Sequence, residues 1–324
     1  MSAVRRLKAS ASASASVSVA PRADLFDLQV NGYAGVDFQQ PDLSAAALAK
    51  VVRALHARRT SRILVTLITD SIERLCVKLR QFEAFRKKNA AGAATFVGYH
   101  LEGPYLNQEP GFKGAHEERF MHDPSIADFE RLQDAAGGNI RLMTIAPELK
   151  GSPEFIVHLV KRGVRVAIGH SNADDSAIDE AIAAGLTLCT HLGNAVPQQV
   201  HRHDNIMQRL LARDELCAVF IPDGIHLPPH VLKNFVHAKP RNKVLFTTDC
   251  MAAAASKPGR YRIAHMEVDV GADGIVRLPG ETRAFAGSSL TMDNAFANIQ
   301  RFTGWSETEA HAACSTRVAK YLGL

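Results

Sequence analysis

No apolar run in this 324-residue sequence approaches the ~20 residues of a bilayer-spanning helix, so no membrane partner is expected. Cysteine is scarce. Cys76, Cys189, Cys217, Cys250 and Cys314 are odd in number, far apart and never in a CxxC spacing, which excludes a disulfide scaffold. Buried thiols in a reducing compartment fit this usage, and a cytoplasmic location is expected. A concentration of one charge sign is also missing. The 38 basic and 33 acidic residues leave a net charge of +5, spread along the chain. Arg58, Arg59 and Arg62, like Arg86, Lys87 and Lys88, sit at the ends of expected helices and read as solvated ends, so no nucleic-acid partner is expected. The mild positive field still favours an anionic small substrate. Finally, no acidic residue precedes Asp24. Residues 1–23 read as a disordered, Ala/Ser-rich segment; the same Arg- and Ser-rich, acid-free composition is also that of a transit peptide.

From Asp24 onward one theme repeats. A short apolar run is followed by a polar turn and a segment of helical period. The runs are Leu25–Val30, Ile63–Ile68, Thr95–Leu101, Ile140–Ile145, Val164–Ile168, Leu186–Cys189, Cys217–Ile221 and Val244–Thr248. Helices are expected between them, for example over Leu43–Arg58, Ile72–Lys88, Pro124–Ala135, Pro153–Lys161, Asp174–Ala184 and Pro229–Val236. Alternating strands and helices make a parallel sheet, and eight strands at this spacing predict an α/β (β/α)8 TIM barrel. No linker interrupts the order, so residues 24–324 are expected to form one barrel domain. The rhythm then changes. Tyr261–Val270 and Gly274–Leu278 alternate like a hairpin turning at Asp273-Gly274, and two helices should follow, over Ser289–Phe302 and Glu307–Tyr321.

The informative residues follow the strands. The third run ends in His100-Leu101-Glu102, the fifth in Gly169-His170-Ser171, the sixth in Thr190-His191, the seventh near Asp223-Gly224-Ile225-His226, and the eighth in Thr248-Asp249. In a parallel barrel these ends open on one face, where active sites are built. Nitrogen and carboxylate donors meeting there suit zinc or another divalent metal. Singly, each has a plain alternative: Glu102 caps a turn, a lone histidine is a loop residue, and Asp249 caps a helix over Met251–Ala255. Four of them at four strand ends argue for chemistry.

Longer stretches carry a resemblance. They are Asp27-Leu28-Gln29-Val30-Asn31-Gly32, His100-Leu101-Glu102-Gly103-Pro104-Tyr105-Leu106-Asn107, Gly111-Phe112-Lys113-Gly114-Ala115-His116 and Thr144-Ile145-Ala146-Pro147-Glu148. Gly169-His170-Ser171-Asn172-Ala173, Thr190-His191-Leu192-Gly193-Asn194-Ala195, Asp223-Gly224-Ile225-His226, Thr248-Asp249 and Gly287-Ser288-Ser289-Leu290-Thr291-Met292 continue it. In this order they resemble the N-acetylglucosamine-6-phosphate deacetylase family of the amidohydrolase superfamily, over nearly everything after Asp24.

The resemblance implies a metal-dependent hydrolase barrel and deacetylation of N-acetylglucosamine 6-phosphate to glucosamine 6-phosphate and acetate. Glu102, His170 and His191 match the metal ligands, Asp249 the general base and acid, and His116 a histidine beside the scissile amide. Asn194, Ala195 and His226 match substrate-binding positions. Arg202 matches an arginine that reaches the phosphate across a homodimer interface. One divalent ion per chain is implied, zinc first, with Fe, Co, Mn or Ni as alternatives. Gln29 and Asn31 stand where many amidohydrolases carry a second pair of histidine ligands, which favours one metal over two. Relatives also have a small β-sandwich domain built from both chain ends, which this sequence is expected to lack or truncate. The run His201-Arg202-His203-Asp204-Asn205 departs from the family's phosphate loop, and Gly193 and Val196 replace bulkier neighbours. A related substrate such as N-acetylgalactosamine 6-phosphate therefore stays open, as does a catalytically weak sugar-phosphate-binding protein.

Overall fold

The computed structural model describes residues 24–280 and 287–324. The Ala/Ser-rich segment expected over 1–23 lies outside the described residues. The barrel strands are β1 (Leu25–Val30), β2 (Thr60–Ile68), β3 (Phe96–Glu102), β4 (Ile140–Ile145), β5 (Arg165–Ile168), β6 (Leu188–Cys189), β7 (Cys217–Phe220) and β8 (Val244–Phe246). Each pairs in parallel with the next in chain order. The ring nearly closes where Val30 bridges Cys250 and the Asn31 amide donates to the Cys250 carbonyl at 2.7 Å. Buried Asp27 strengthens that seam, accepting from the Thr247 and Thr248 hydroxyls and from the Thr248 amide. This is the eight-stranded α/β barrel that the sequence predicts.

Alternation along the strands sorts the side chains into two cores. Phe26, Leu28, Leu64, Leu142, Ala167, Leu188, Val219 and Leu245 fill the barrel interior at its lower end. Their neighbours, such as Ile63, Val65, Tyr99 and Leu101, turn outward against the helices. Higher in the interior the layers become polar: His100 Nε2 lies 2.7 Å from the Thr144 hydroxyl, itself 2.6 Å from that of Thr190. The inward series therefore runs from apolar at the bottom to ionisable at the strand ends.

The helices include α1 (Ala45–Ala57), α2 (Ile72–Lys88), the short α3 (Ala90–Thr95), α4 (Ile126–Ala135), α5 (Ser152–Lys161) and α6 (Asp175–Ala184). The short α7 (Ile206–Leu211), α8 (Pro229–Ala238) and α9 (Met292–Thr303) follow. Their starts follow ordinary capping chemistry; Ser44, Ser71, Ser125 and Asp174 each accept from a first-turn amide. No helix among the described residues is long and apolar enough to cross a membrane.

Two sequence expectations need correction, and one plain alternative falls away. The predicted hairpin is a three-stranded antiparallel sheet. What read as one strand over 261–270 is β9 (Gly259–Ile263) and β10 (Met266–Val270), reversing at Ala264, whose φ is +52°. β11 (Val276–Arg277) then pairs with β10 beyond the Asp273-Gly274 turn. Second, the last helix is two, α10 (Glu307–Ala313) and α11 (Thr316–Leu322). The helix is interrupted where this segment is tied to the start of the barrel: the Phe26 amide of β1 donates to the Cys314 carbonyl at 2.7 Å, and the Ser315 side-chain hydroxyl donates to the carbonyl of Asp24, just before β1, at 2.5 Å. The break lets Val318, Ala319 and Leu322 of α11 pack into the lower barrel core. The plain alternative for Asp249, a cap on a helix over Met251–Ala255, is not met: no helix spans those residues. Residues 252–255 form turns, and Asp249 itself has φ +49°.

Candidate active site

Glu102 ends β3 at the upper rim of the barrel, 3 % exposed. One of its carboxylate oxygens, Oε1, accepts from the Gln29 amide at 2.8 Å and lies 2.9 Å from His191 Nε2 and 3.3 Å from His170 Nε2. The other, Oε2, is 3.8 Å from His116 Nε2. The rings of His116 and His170 meet edge to face at 4.4 Å, and those of His170 and His191 at 5.0 Å. Asp249 accepts at Oδ1 from the Asn31 amide at 2.7 Å. β1, β3, β5, β6 and β8 thus deliver these groups to one place. His116 comes from the loop after β3. A cavity of about 280 Å³ opens over them, walled on its apolar side by Ile68, Ile263, Met266 and Leu278.

The outer nitrogens of the rings decide what the inner ones offer. His170 Nδ1 is 2.8 Å from the Phe112 carbonyl, which only accepts, so Nδ1 carries the proton and a neutral ring presents a lone pair at Nε2. That lone pair faces the Glu102 carboxylate at 3.3 Å. Two electron-rich atoms so placed require a positive charge between them, a second ring proton or a metal ion. His116 is set the opposite way. Its Nδ1 accepts from the Thr69 amide at 3.3 Å, with the Thr69 hydroxyl at 2.8 Å, so the neutral ring points an N–H inward from Nε2. Gly103 permits this approach: it has φ +87°, and a Cβ there would lie 2.2 Å from the Thr69 hydroxyl. His191 Nδ1 is buried without a partner among the described residues.

No protein-family model matches this chain. The N-acetylglucosamine-6-phosphate deacetylase of Bos taurus is 34% identical over 307 residues, 92% of this chain and 73% of its own length. The chain belongs to the N-acetylglucosamine-6-phosphate deacetylase family. A mutant of the N-acetyl-D-glucosamine-6-phosphate deacetylase from Mycobacterium smegmatis, solved in complex with N-acetyl-D-glucosamine-6-phosphate, superimposes with a TM-score of 0.82. It is 31% identical, and the match covers 93% of this chain and 77% of that one. An N-acetylgalactosamine-6-phosphate deacetylase from Escherichia coli is 30% identical over 92% of this chain and 77% of its own length.

This deacetylase-family chain has a site able to hold a metal ion. Glu102, His116 and His170 each bring one ligand atom to within 4.8 Å of the others. The sequence expectation was Glu102, His170 and His191. The ring settings tell against His116, which offers an N–H where His170 offers a lone pair; they do not fix His191, whose Nε2 faces Glu102 Oε1 at 2.9 Å while its Nδ1 has no partner among the described residues. Electrostatics agree with a place for a cation. Burial alone would raise the Glu102 carboxyl, but with the rings doubly protonated, hydrogen bonds and charge from His170 and His191 hold it well below the usual range. Burial opposes charge on His191 as well, yet Glu102 lifts it to about 8. Burial, helped by the charge that a protonated His170 carries, pushes His116 down to about 3, so it stays neutral. Burial and the Glu102 charge push the Asp249 carboxyl up to about 7. A cation beside it would counter both effects and favour the carboxylate.

Of the expected substrate positions, Asn194, Ala195 and His226 line the cavity. His226 is anchored by Asp223, whose Oδ2 lies 2.5 Å from Nδ1. Arg202 is not among them; it is exposed, outside the cavity of its own chain. Gln29 and Asn31, read from sequence only as non-ligands, are the donors that hold Glu102 and Asp249. Thr69 and the Phe112 carbonyl were missed. Neither carries a local signal, since each meets its histidine only through the fold.

Proposed function

We propose that the protein removes the acetyl group from N-acetylglucosamine 6-phosphate, giving glucosamine 6-phosphate and acetate. The observation that carries this is the pair of oppositely set imidazoles around Glu102 with Asp249 beside them. Glu102, His170 and His191 would hold one divalent ion, zinc being the best match to a carboxylate and two imidazoles. Bound there, the ion supplies Lewis acidity toward the amide carbonyl. Asp249 takes a proton from the attacking water as its oxygen bonds to the carbonyl carbon. Asp249 then returns that proton to the sugar nitrogen as the C–N bond breaks. His116 Nε2–H donates to the carbonyl oxygen as negative charge develops there. Asn31 keeps the Asp249 carboxylate turned toward the water. His226, Asn194 and Ala195 bind the sugar phosphate.

The exposure of Arg202 supports a homodimer in which this side chain serves the partner's phosphate site. The five free cysteines support a cytoplasmic setting. Deacetylation of N-acetylgalactosamine 6-phosphate is the second reading, favoured by the relative from Escherichia coli. Acetate release should be measured on the glucosamine and galactosamine phosphates and on unphosphorylated N-acetylglucosamine. Fastest turnover on the first is expected. No acetate from any of them, with metal loaded, would refute the assignment.

A further inference from the structure

Glu148 ends the Thr144–Glu148 stretch and takes no part in the reaction above. It lies in the loop after β4, half-buried, between the loop that follows Glu102 and the turn that carries His170. Its Oε1 accepts from the Asn107 side-chain amide at 2.8 Å and from the Asn172 backbone amide at 2.7 Å. Its Oε2 accepts from the Ser171 hydroxyl at 2.7 Å. These partners have settled orientations. Asn107 Oδ1 accepts from the Glu109 amide at 2.7 Å, which leaves its NH2 for Glu148, and the Ser171 oxygen accepts from the Ala173 amide at 3.1 Å, which leaves its proton. The Asn107 backbone amide also donates to the His170 carbonyl at 3.0 Å.

His170 has φ +52°, a left-handed backbone that a non-glycine residue holds only when its surroundings impose it. One carboxylate binds the two residues after it and the residue that binds its carbonyl. We propose that Glu148 is a positioning residue: it fixes the backbone of His170, and with it the strength with which the site holds a divalent ion. This rests on the reading of His170 as a metal ligand. Without Glu148 the turn relaxes toward ordinary backbone angles and the imidazole swings from Glu102.

Metal-free protein, prepared with a chelator and dialysed, should be titrated with Zn²⁺ by calorimetry for the wild type, Glu148→Ala and Glu148→Gln. The alanine variant should raise the metal Kd by about 10- to 100-fold, the usual loss for a residue that orients a ligand. The glutamine variant should stay close to wild type, because its carbonyl serves both amides and its NH2 can donate to Ser171. The unfolding temperature of the metal-free alanine variant should match that of metal-free wild type. Unchanged metal affinity in Glu148→Ala overturns the proposal. So does a loss of affinity with an equal drop in metal-free stability that glutamine does not restore. Should Glu148→Ala fail to fold, Ser171→Ala and Asn107→Ala each remove one bond, and unchanged affinity in both overturns it. A wild type that takes up no metal would instead break the metal-site reading itself.

Discussion

The two ends of the cavity are built differently. At the hydrolytic end each group except His191 is held by a second partner: Gln29 on Glu102, Asn31 on Asp249, Thr69 on His116 and the Phe112 carbonyl on His170. At the other end His226 is tied to Asp223, but the Asn194 amide nitrogen is buried without a partner among the described residues; Arg202 is exposed and lies outside the cavity. The first end stands largely on strand termini and the second on loops. Strand ends inherit the precision of the barrel, whereas loops leave room for a substrate, or a second chain, to complete the arrangement. Chemistry should therefore be intolerant of change at one end, and substrate choice adjustable at the other.

The largest effect should come from Asp249→Asn, which keeps the shape and removes the proton acceptor. Folding and metal content should persist while kcat falls by roughly 10²–10⁴. Near-normal turnover would show that Asp249 only shapes the loop; the helix it might have capped is absent. Next come His170→Ala and His191→Ala. Each should take bound metal from about one ion per chain to a small fraction, since three protein ligands become two. Elemental analysis finding full occupancy in both would remove them as ligands.

Smaller effects belong to the other end and to Arg202 outside it. His226→Ala and Arg202→Ala should raise KM for the phosphorylated sugar by roughly 10- to 150-fold, the worth of a charge-assisted contact of about 1.5–3 kcal/mol, with kcat little changed. Equal losses on the unphosphorylated sugar would show that neither meets the phosphate. An active monomer in sedimentation would end the cross-chain role of Arg202. Smallest should be the response to metal in thermal unfolding: zinc at 100 times its Kd should stabilise the wild type by about 2.7 kcal/mol, and Asp249→Asn nearly as much. A shift lost in that variant would place Asp249 among the ligands.

The barrel was legible in the sequence because each strand is a short apolar run and the segments between them have a helical period, several with a capping residue at the start. The site residues stood out because strand ends converge in a parallel barrel, so Glu102, His170, His191 and Asp249 are related by topology alone. Distant bonds were not legible. The break at Cys314-Ser315 falls where hydrogen bonds tie the segment to the start of the barrel, and nothing local in Glu307–Tyr321 announces it. The reversal at Ala264 lacks the glycine or asparagine that usually marks a tight turn. Whether an imidazole offers a lone pair or a proton depends on Phe112 or Thr69, 58 and 47 residues away.

His170, His191 and Asp249 share one backbone trait, with φ of +52°, +26° and +49°. Glycine would adopt such angles at less cost. Each of these side chains is thus retained against a conformational penalty, of order 1–3 kcal/mol where the backbone is most constrained. In a population of variants screened for thermal resistance without metal or substrate, replacements at these positions should be enriched rather than purged. The working residues would be the first to drift once selection for turnover stops, and a descendant could keep the whole barrel while losing its reaction.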